Sequence, residues 1–274
     1  MSLLPRIRVL HHLPRTGGTL ICRCLAVMAG VFLLSEIHPD TDDQLDRLKP
    51  ANQAAEWYDI DDDDDESLGG ERDHGARHRS FLDIIEGINQ KVIARGGVLV
   101  IRDWSHLDFT GFPHNLAPTG RSRTTEVLSE RFEVIHAATV RKPLPQYFSH
   151  RALLVASAPQ HAQMIDREFG PDRFLDAYNQ FASFAHDIGF ERYEDFVADS
   201  EAVLRRICAR LDIPYDPGWR ERWQNYDRLT GDVDGPTDGI RHIARVYPDD
   251  LKRLFATRPL SLVAARLLGY DESV

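Results

Sequence analysis

Hydrophobic positions along the chain group in two ways. Short, nearly unbroken apolar runs at residues 7–12, 31–35, 98–101 and 132–140 predict strands covered on both faces. Between them, apolar residues recur every three or four positions. That spacing predicts helices at residues 18–29 and 81–95, from Pro143 past Leu153, and around Phe174 to Ala185. Gly189 and Phe190 open a short strand leading toward residues 193–196. Asp199 or Ser200 then caps a helix with the stripe Val203, Leu204, Ile207, Cys208 and Leu211, ended by Pro214 and Pro217. A last helical stretch, residues 251–268, is expected to pack on the sheet. Strands that alternate with helices, with a return as tight as Gly30, predict βαβ units. The expected fold class is α/β, three layers α/β/α around a central parallel sheet.

Two segments break the pattern. From His38 to about residue 80 the chain turns acidic, with a run from Asp59 to Glu66 followed by Gly69 and Gly70. Like charges at that density repel one another, so the segment reads as a solvated insertion, a loop or lid with some helix, inside a single domain of residues 1–274. Its carboxylates lack the spaced Gly and Glu of a calcium loop. Residues 227–239, rich in Asp, Gly and Thr, form a second such stretch. A net charge of −10 argues against general nucleic-acid or anionic-membrane binding, and leaves room for a local basic pocket. The three cysteines, Cys22, Cys24 and Cys208, have neither disulfide-framework nor zinc spacing. Residues 25–34, the longest apolar stretch, are too few to span a bilayer, and the N-terminus lacks the layout of a signal peptide. The expectation is a cytoplasmic protein with no nucleic-acid or membrane partner; nothing in the sequence sets its oligomeric state.

The chemistry starts at residues 11–20, His-His-Leu-Pro-Arg-Thr-Gly-Gly-Thr-Leu, between the first strand and the first helix. A strand, a glycine turn and a helix start expose backbone N–H groups at the positive end of a helix dipole, which suits an anion. Gly17 and Gly18 allow close approach of the backbone to a phosphate. A nucleoside-triphosphatase loop would carry Gly-Lys-Ser/Thr after its spacer. Here the cation, Arg15, precedes the glycines and no lysine follows Gly18.

The stretch Pro14-Arg15-Thr16-Gly17-Gly18-Thr19 resembles the 5′-phosphosulfate loop of the sulfotransferases, with arginine where that family usually has lysine. Arg141 through Ser149 is similar to the family's 3′-phosphate motif, an Arg opening a strand-to-helix turn with Ser eight residues on. Tyr193-Glu194-Asp195-Phe196 is similar to the segment that borders the adenine nucleotide, and Leu267-Leu268-Gly269-Tyr270 also matches there. Order and spacing agree over residues 6–36, 97–106, 132–155 and 189–213, while 37–80 and 215–245 have no counterpart.

The resemblance implies a P-loop NTPase-like sulfotransferase fold. It also implies transfer of a sulfuryl group from 3′-phosphoadenosine 5′-phosphosulfate to a hydroxyl or amine, with no metal required. Arg15 and the amides of Thr16, Gly17, Gly18, Thr19 and Leu20 would hold the 5′ end, Thr19 contacting the 5′-phosphate. Arg141 and Ser149 would hold the 3′-phosphate, and Tyr193 the nucleotide. Arginine at position 15 keeps the charge but will not readily give up a proton to the leaving group. Many family members place a catalytic His or acid after the third strand, where this chain offers Asp103 and His106 as candidate bases. Arg102 is a candidate for holding donor or acceptor; His11, His12 and the Arg241–His242 pair are weaker candidates. The aromatics Trp57, Tyr58, Trp104, Phe109 and Phe112 suit a carbohydrate or a hydrophobic alcohol equally. A P-loop kinase and a non-catalytic nucleotide-binding protein are the alternatives.

Overall fold

The structure is a computed structural model that describes residues 4–41, 45–61, 80–231, 239–241 and 245–270. Its centre is a sheet of five parallel strands: β1 (Arg6–His12), β2 (Val31–Ile37), β3 (Val98–Asp103), β4 (Glu133–Val140) and β5 (Phe190–Arg192). The order is β2-β3-β1-β4-β5. Helices α1 (Gly18–Ala26), α2 (Pro50–Tyr58), α3 (Phe81–Ala94) and α4 (Arg123–Leu128) belong to the first half of the chain. Helices α5 (Pro143–Ser157), α6 (Ala162–Glu168), α7 (Pro171–Ile188), α8 (Tyr193–Ala198) and α9 (Ser200–Arg210) follow. Helices α10 (Trp219–Arg222), α11 (Asp249–Thr257) and α12 (Pro259–Leu267) come last.

Successive side chains on a strand point to opposite faces, and both faces are covered. Leu10, Leu33, Val100 and Ala137 share one core with residues of α1, α9 and α10. On the other face, Leu34, Leu99 and Ile101 pack on α3, while Ala138 and Val140 pack with α5, α7 and α12. The predicted three-layer parallel α/β arrangement is therefore present. Because β1 runs out to β2 and β4 runs out to β5 on the other side, the loops after β1 and β4 diverge and leave a crevice at the carboxyl edge.

Four details differ from the sequence expectation. Helix α1 stops at Ala26, short of residue 29. Tyr193 starts a helix instead of extending a strand, so β5 is only three residues long. The C-terminal stretch is two helices, divided where Pro259 starts α12, and α12 packs on α7 more than on the sheet. The fourth difference lies in the acidic insertion. Its residues 62–79 lie outside the described residues, but α2 is integral to the core through buried Ala54. From α2, Gln53 accepts from Ser35 N–H (2.7 Å) and donates to Ser35 O (2.8 Å), and Tyr58 Oη makes the same pair of bonds with Leu33. Strand β2 is the sheet edge, and these side chains occupy the backbone groups that an edge leaves open.

Candidate active site

The loop between β1 and α1 is held from below. Leu13 is fully buried; the Thr16 hydroxyl donates to Leu13 O (2.9 Å) and lies 3.2 Å from Thr139 Oγ1. From α5, Gln146 donates to Pro14 O (3.1 Å). Arg15 and Gly17 take left-handed φ values of 69° and 81°. A Cβ at Gly17 would come 2.3 Å from the Tyr193 ring, and one at Gly18 would come 2.5 Å from the His12 ring. Both glycines are thus required by the packing as well as by any ligand. Gly17 caps α1 without a side-chain bond, so the first-turn amides of Gly18, Thr19 and Leu20 lack intrahelical acceptors. The Thr16 side chain faces inward, which leaves its backbone as its part of the cradle.

The two later motifs arrive at this loop. Arg141, just past β4, donates through Nη1 to Arg15 O (3.0 Å), and its guanidinium lies over the Tyr193 ring, 4.6 Å from the centroid. Tyr178 Oη donates to Arg141 O (2.6 Å), fixing the backbone, while Arg141 Nε is buried without a partner. Burial lowers the Arg141 pKa from its ordinary value. Ser149 on α5 accepts from Arg15 Nε (2.9 Å), so the serine predicted beside Arg141 is tied to the loop arginine here. Glu194 secures the third motif by accepting from Lys142 N–H (3.0 Å) and from Tyr270 Oη (2.9 Å).

Strand alternation separates two neighbours at the end of β3. Arg102 points to the α1 face. It donates through Nε to His12 Nε2 (2.7 Å), through Nη1 to Ser35 Oγ (3.0 Å) and Thr230 O (2.9 Å), and through Nη2 to Thr19 Oγ1 (2.9 Å). Since His12 accepts at Nε2, its proton sits on Nδ1, 3.2 Å from Leu13 O. Burial and the Arg102 charge push the His12 pKa down to about 3, so the ring is neutral. Asp103 points to the opposite face, where its Oδ2 lies 2.8 Å from His11 Nδ1 and accepts from Ser105 Oγ (2.5 Å). His11 continues to His136 at 3.1 Å. Burial alone would raise the Asp103 pKa, but the bond and charge of His11 outweigh it and bring it to about 2. Asp103 has no exposed surface; its Oδ2 orients His11 and Ser105, while its Oδ1 is buried without a partner. His106 is also buried, with Nδ1 2.5 Å from Thr110 Oγ1, and burial together with His114 lowers its pKa to about 3. It belongs to a ring cluster with His150 (5.4 Å) and His114 (5.9 Å). Arg241 is exposed, and His242 lies outside the described residues.

Sequence reasoning missed Glu36. Ser35 pairs with Arg102 and Ile37 with Asp103, so Glu36 is the extra residue of a bulge, at φ 56°. The bulge turns its carboxylate to the α1 face of the sheet, where Oε1 lies 3.6 Å from Arg102 Nη2 and the side chain keeps 16% exposure. A Cβ at Gly231 would come 2.3 Å from the same oxygen, so glycine there makes room for the acid. An acid at the carboxyl end of a parallel strand was the available signal, but a bulge cannot be read from an apolar run.

No family model matches the sequence, and no curated protein matches it. Solved structures do. The sulfotransferase domain from the curacin biosynthetic pathway superposes with a TM-score of 0.60 at 18% identity, over 98% of this chain and 99% of that one. The sulfotransferase domain of the Synechococcus PCC 7002 olefin synthase gives 0.54 at 19% identity, over 98% and 97%. The chain has the sulfotransferase fold.

Proposed function

We propose that the protein transfers a sulfuryl group from 3′-phosphoadenosine 5′-phosphosulfate to a hydroxyl or amine acceptor. One observation carries this reading. Arg141, stacked on Tyr193 and bonded to Arg15 O, joins the three motifs at one point and keeps a buried Nε with no partner. The residues fit the nucleotide. An orphaned guanidinium N–H suits a phosphate oxygen, and the cradle at Gly17 and Gly18 is one that a Cβ would fill.

The bound donor supplies an activated sulfate whose bridging oxygen gains charge on transfer. Arg15 and the amides of Gly18, Thr19 and Leu20 stabilise negative charge at that end. Arg102 fixes the Thr19 hydroxyl, Arg141 holds the 3′-phosphate, and Tyr193 orients the nucleotide. Ser149 steers Arg15 through their hydrogen bond. Glu36 takes the acceptor's proton, because its carboxylate is partly exposed and adjoins the Arg102–Thr19 contact. Asp103 and His106, buried on either side, act by positioning.

The test is nucleotide preference. Adenosine 3′,5′-bisphosphate should raise the melting temperature well above the effect of ADP at equal concentration, with no added magnesium. A kinase would instead show magnesium-dependent stabilisation by ATP, and equal shifts from ADP and the bisphosphate would remove the 3′-phosphate site.

A further inference from the structure

The sequence leaves a carbohydrate and a hydrophobic alcohol equally open as acceptors; a cleft past the end of β2 separates them. His38 and Asp40 follow the end of β2, and a cleft of about 450 Å³ opens where they meet the loop after β3 and the start of α4. It lies at the β2–β3 side of the carboxyl edge, away from the β4–β5 side that carries Arg141 and Tyr193. His114 connects it to the ring cluster at the end of β3: it lines the cleft and packs on Trp104 (5.1 Å) and His106 (5.9 Å).

The floor is built in advance. His38 Nδ1 accepts from Asp40 N–H (3.1 Å), its Nε2 lies 3.1 Å from Asp108 Oδ1, and Asp108 Oδ2 accepts from Arg123 N–H (2.9 Å). Both members of the pair are buried. Around them stand Asn115, Thr119 and the charged Asp40, Arg121, Arg123 and Glu126, with Leu107 the one aliphatic side chain among the described residues of the lining. The rim charges pair with each other at 3.5–3.7 Å: Arg123 with Asp40 and Glu126, and Arg121 with Glu126. Exposed pairs at such distances are weak and can exchange a partner for a ligand hydroxyl at little cost.

A hydrophobic alcohol needs apolar walls, and here it would strip water from charged groups without replacing their hydrogen bonds. A strongly charged acceptor would meet like charge on one side of the rim whichever its sign. We propose that this cleft is the acceptor site and that its ligand is a neutral polyhydroxylated molecule, a glycoside or a polyol; this rests on the sulfuryl-transfer reading. Each hydroxyl offers both a donor and an acceptor to a wall of mixed charge, and the His114 imidazole gives the sugar a flat surface.

The experiment compares maltotriose, trehalose and myo-inositol with decanol and a sterol. Binding is measured by calorimetry with and without saturating adenosine 3′,5′-bisphosphate, and turnover with sulfur-labelled donor. At least one polyhydroxyl probe should bind and accept label. The double variant Asp40→Asn, Arg123→Gln should raise its KM at least tenfold and leave bisphosphate affinity unchanged. Sulfation of decanol or the sterol with the polyols inert would overturn the proposal, as would polyol turnover with an unchanged KM in the double variant. If wild type does not bind the bisphosphate, the sulfuryl-transfer reading falls. Polyol binding, and its loss in the double variant, then decides the cleft by itself.

Discussion

Arg102 and Asp103 are adjacent in sequence and serve opposite faces of the sheet. One braces Thr19 at the start of α1; the other holds His11 beneath α7. Parity along a strand decides this, and a list of polar residues after an apolar run does not carry parity unless the register is known. Glu36 escaped notice for a related reason, since its bulge exists only relative to β3. The glycine loop was legible because its conformation is local. Replacing Glu36 with Gln should lower kcat at least about 100-fold, the range of a general base, with bisphosphate affinity within about twofold of wild type. A kcat near wild type would return the role to another group. Arg141→Ala should weaken bisphosphate binding by about 10- to 100-fold, the worth of a charge-assisted hydrogen bond, and calorimetry with ADP should show little change.

At the scale of elements, the strands and long helices were readable because periodicity and burial agree. The insertion was misread in part because α2 is weakly apolar: it contributes through Gln53 and Tyr58, whose partners are backbone atoms of β2. No pattern of hydrophobic residues announces a side chain that closes a sheet edge. Gln53→Ala should therefore cost roughly 1–3 kcal/mol in urea unfolding, since it strands the buried N–H of Ser35, whose C=O keeps the Thr230 hydroxyl at 3.2 Å. A loss below about 0.5 kcal/mol, typical of a surface change, would show that the edge is satisfied otherwise. Tyr193 illustrates the converse: its side chain, singled out in the sequence, lies against Arg141, while its backbone was assigned to the wrong element.

For the whole molecule, burial of neutral imidazoles sets the pH response. Burial brings His12 and His106 to about 3 and takes His150 well below its ordinary value. Above pH 6.5 these rings are neutral whether the chain is folded or not. Below it the unfolded chain takes up protons that the folded chain refuses, so stability falls as pH falls from 6.5 toward 3. Each such group steepens the profile by up to roughly 1.4 kcal/mol per pH unit near pH 5; His136, lowered to about 4, adds to them, and His38, raised by its bond to Asp108, opposes them. Asp103 adds a further loss only as pH drops from its ordinary carboxylate value toward about 2. Urea midpoints at pH 7, 6 and 5 check this, and a flat profile would contradict it. The parallel sheet, its crevice and the three motif-bearing loops were legible in the sequence. The cleft proposed for the acceptor was not, because it is assembled from the end of β2, the loop after β3 and α4, which are far apart in the chain.

Transfer of label from sulfur-labelled 3′-phosphoadenosine 5′-phosphosulfate is the most direct test of the central claim. Wild-type protein should move label to a polyhydroxyl acceptor and release one adenosine 3′,5′-bisphosphate for each label transferred, and Arg15→Ala should do so at least about 100-fold more slowly, as expected on removing a charge-stabilising group. Absence of label transfer, together with magnesium-dependent transfer of the γ-phosphate of ATP to the same acceptor, would contradict it.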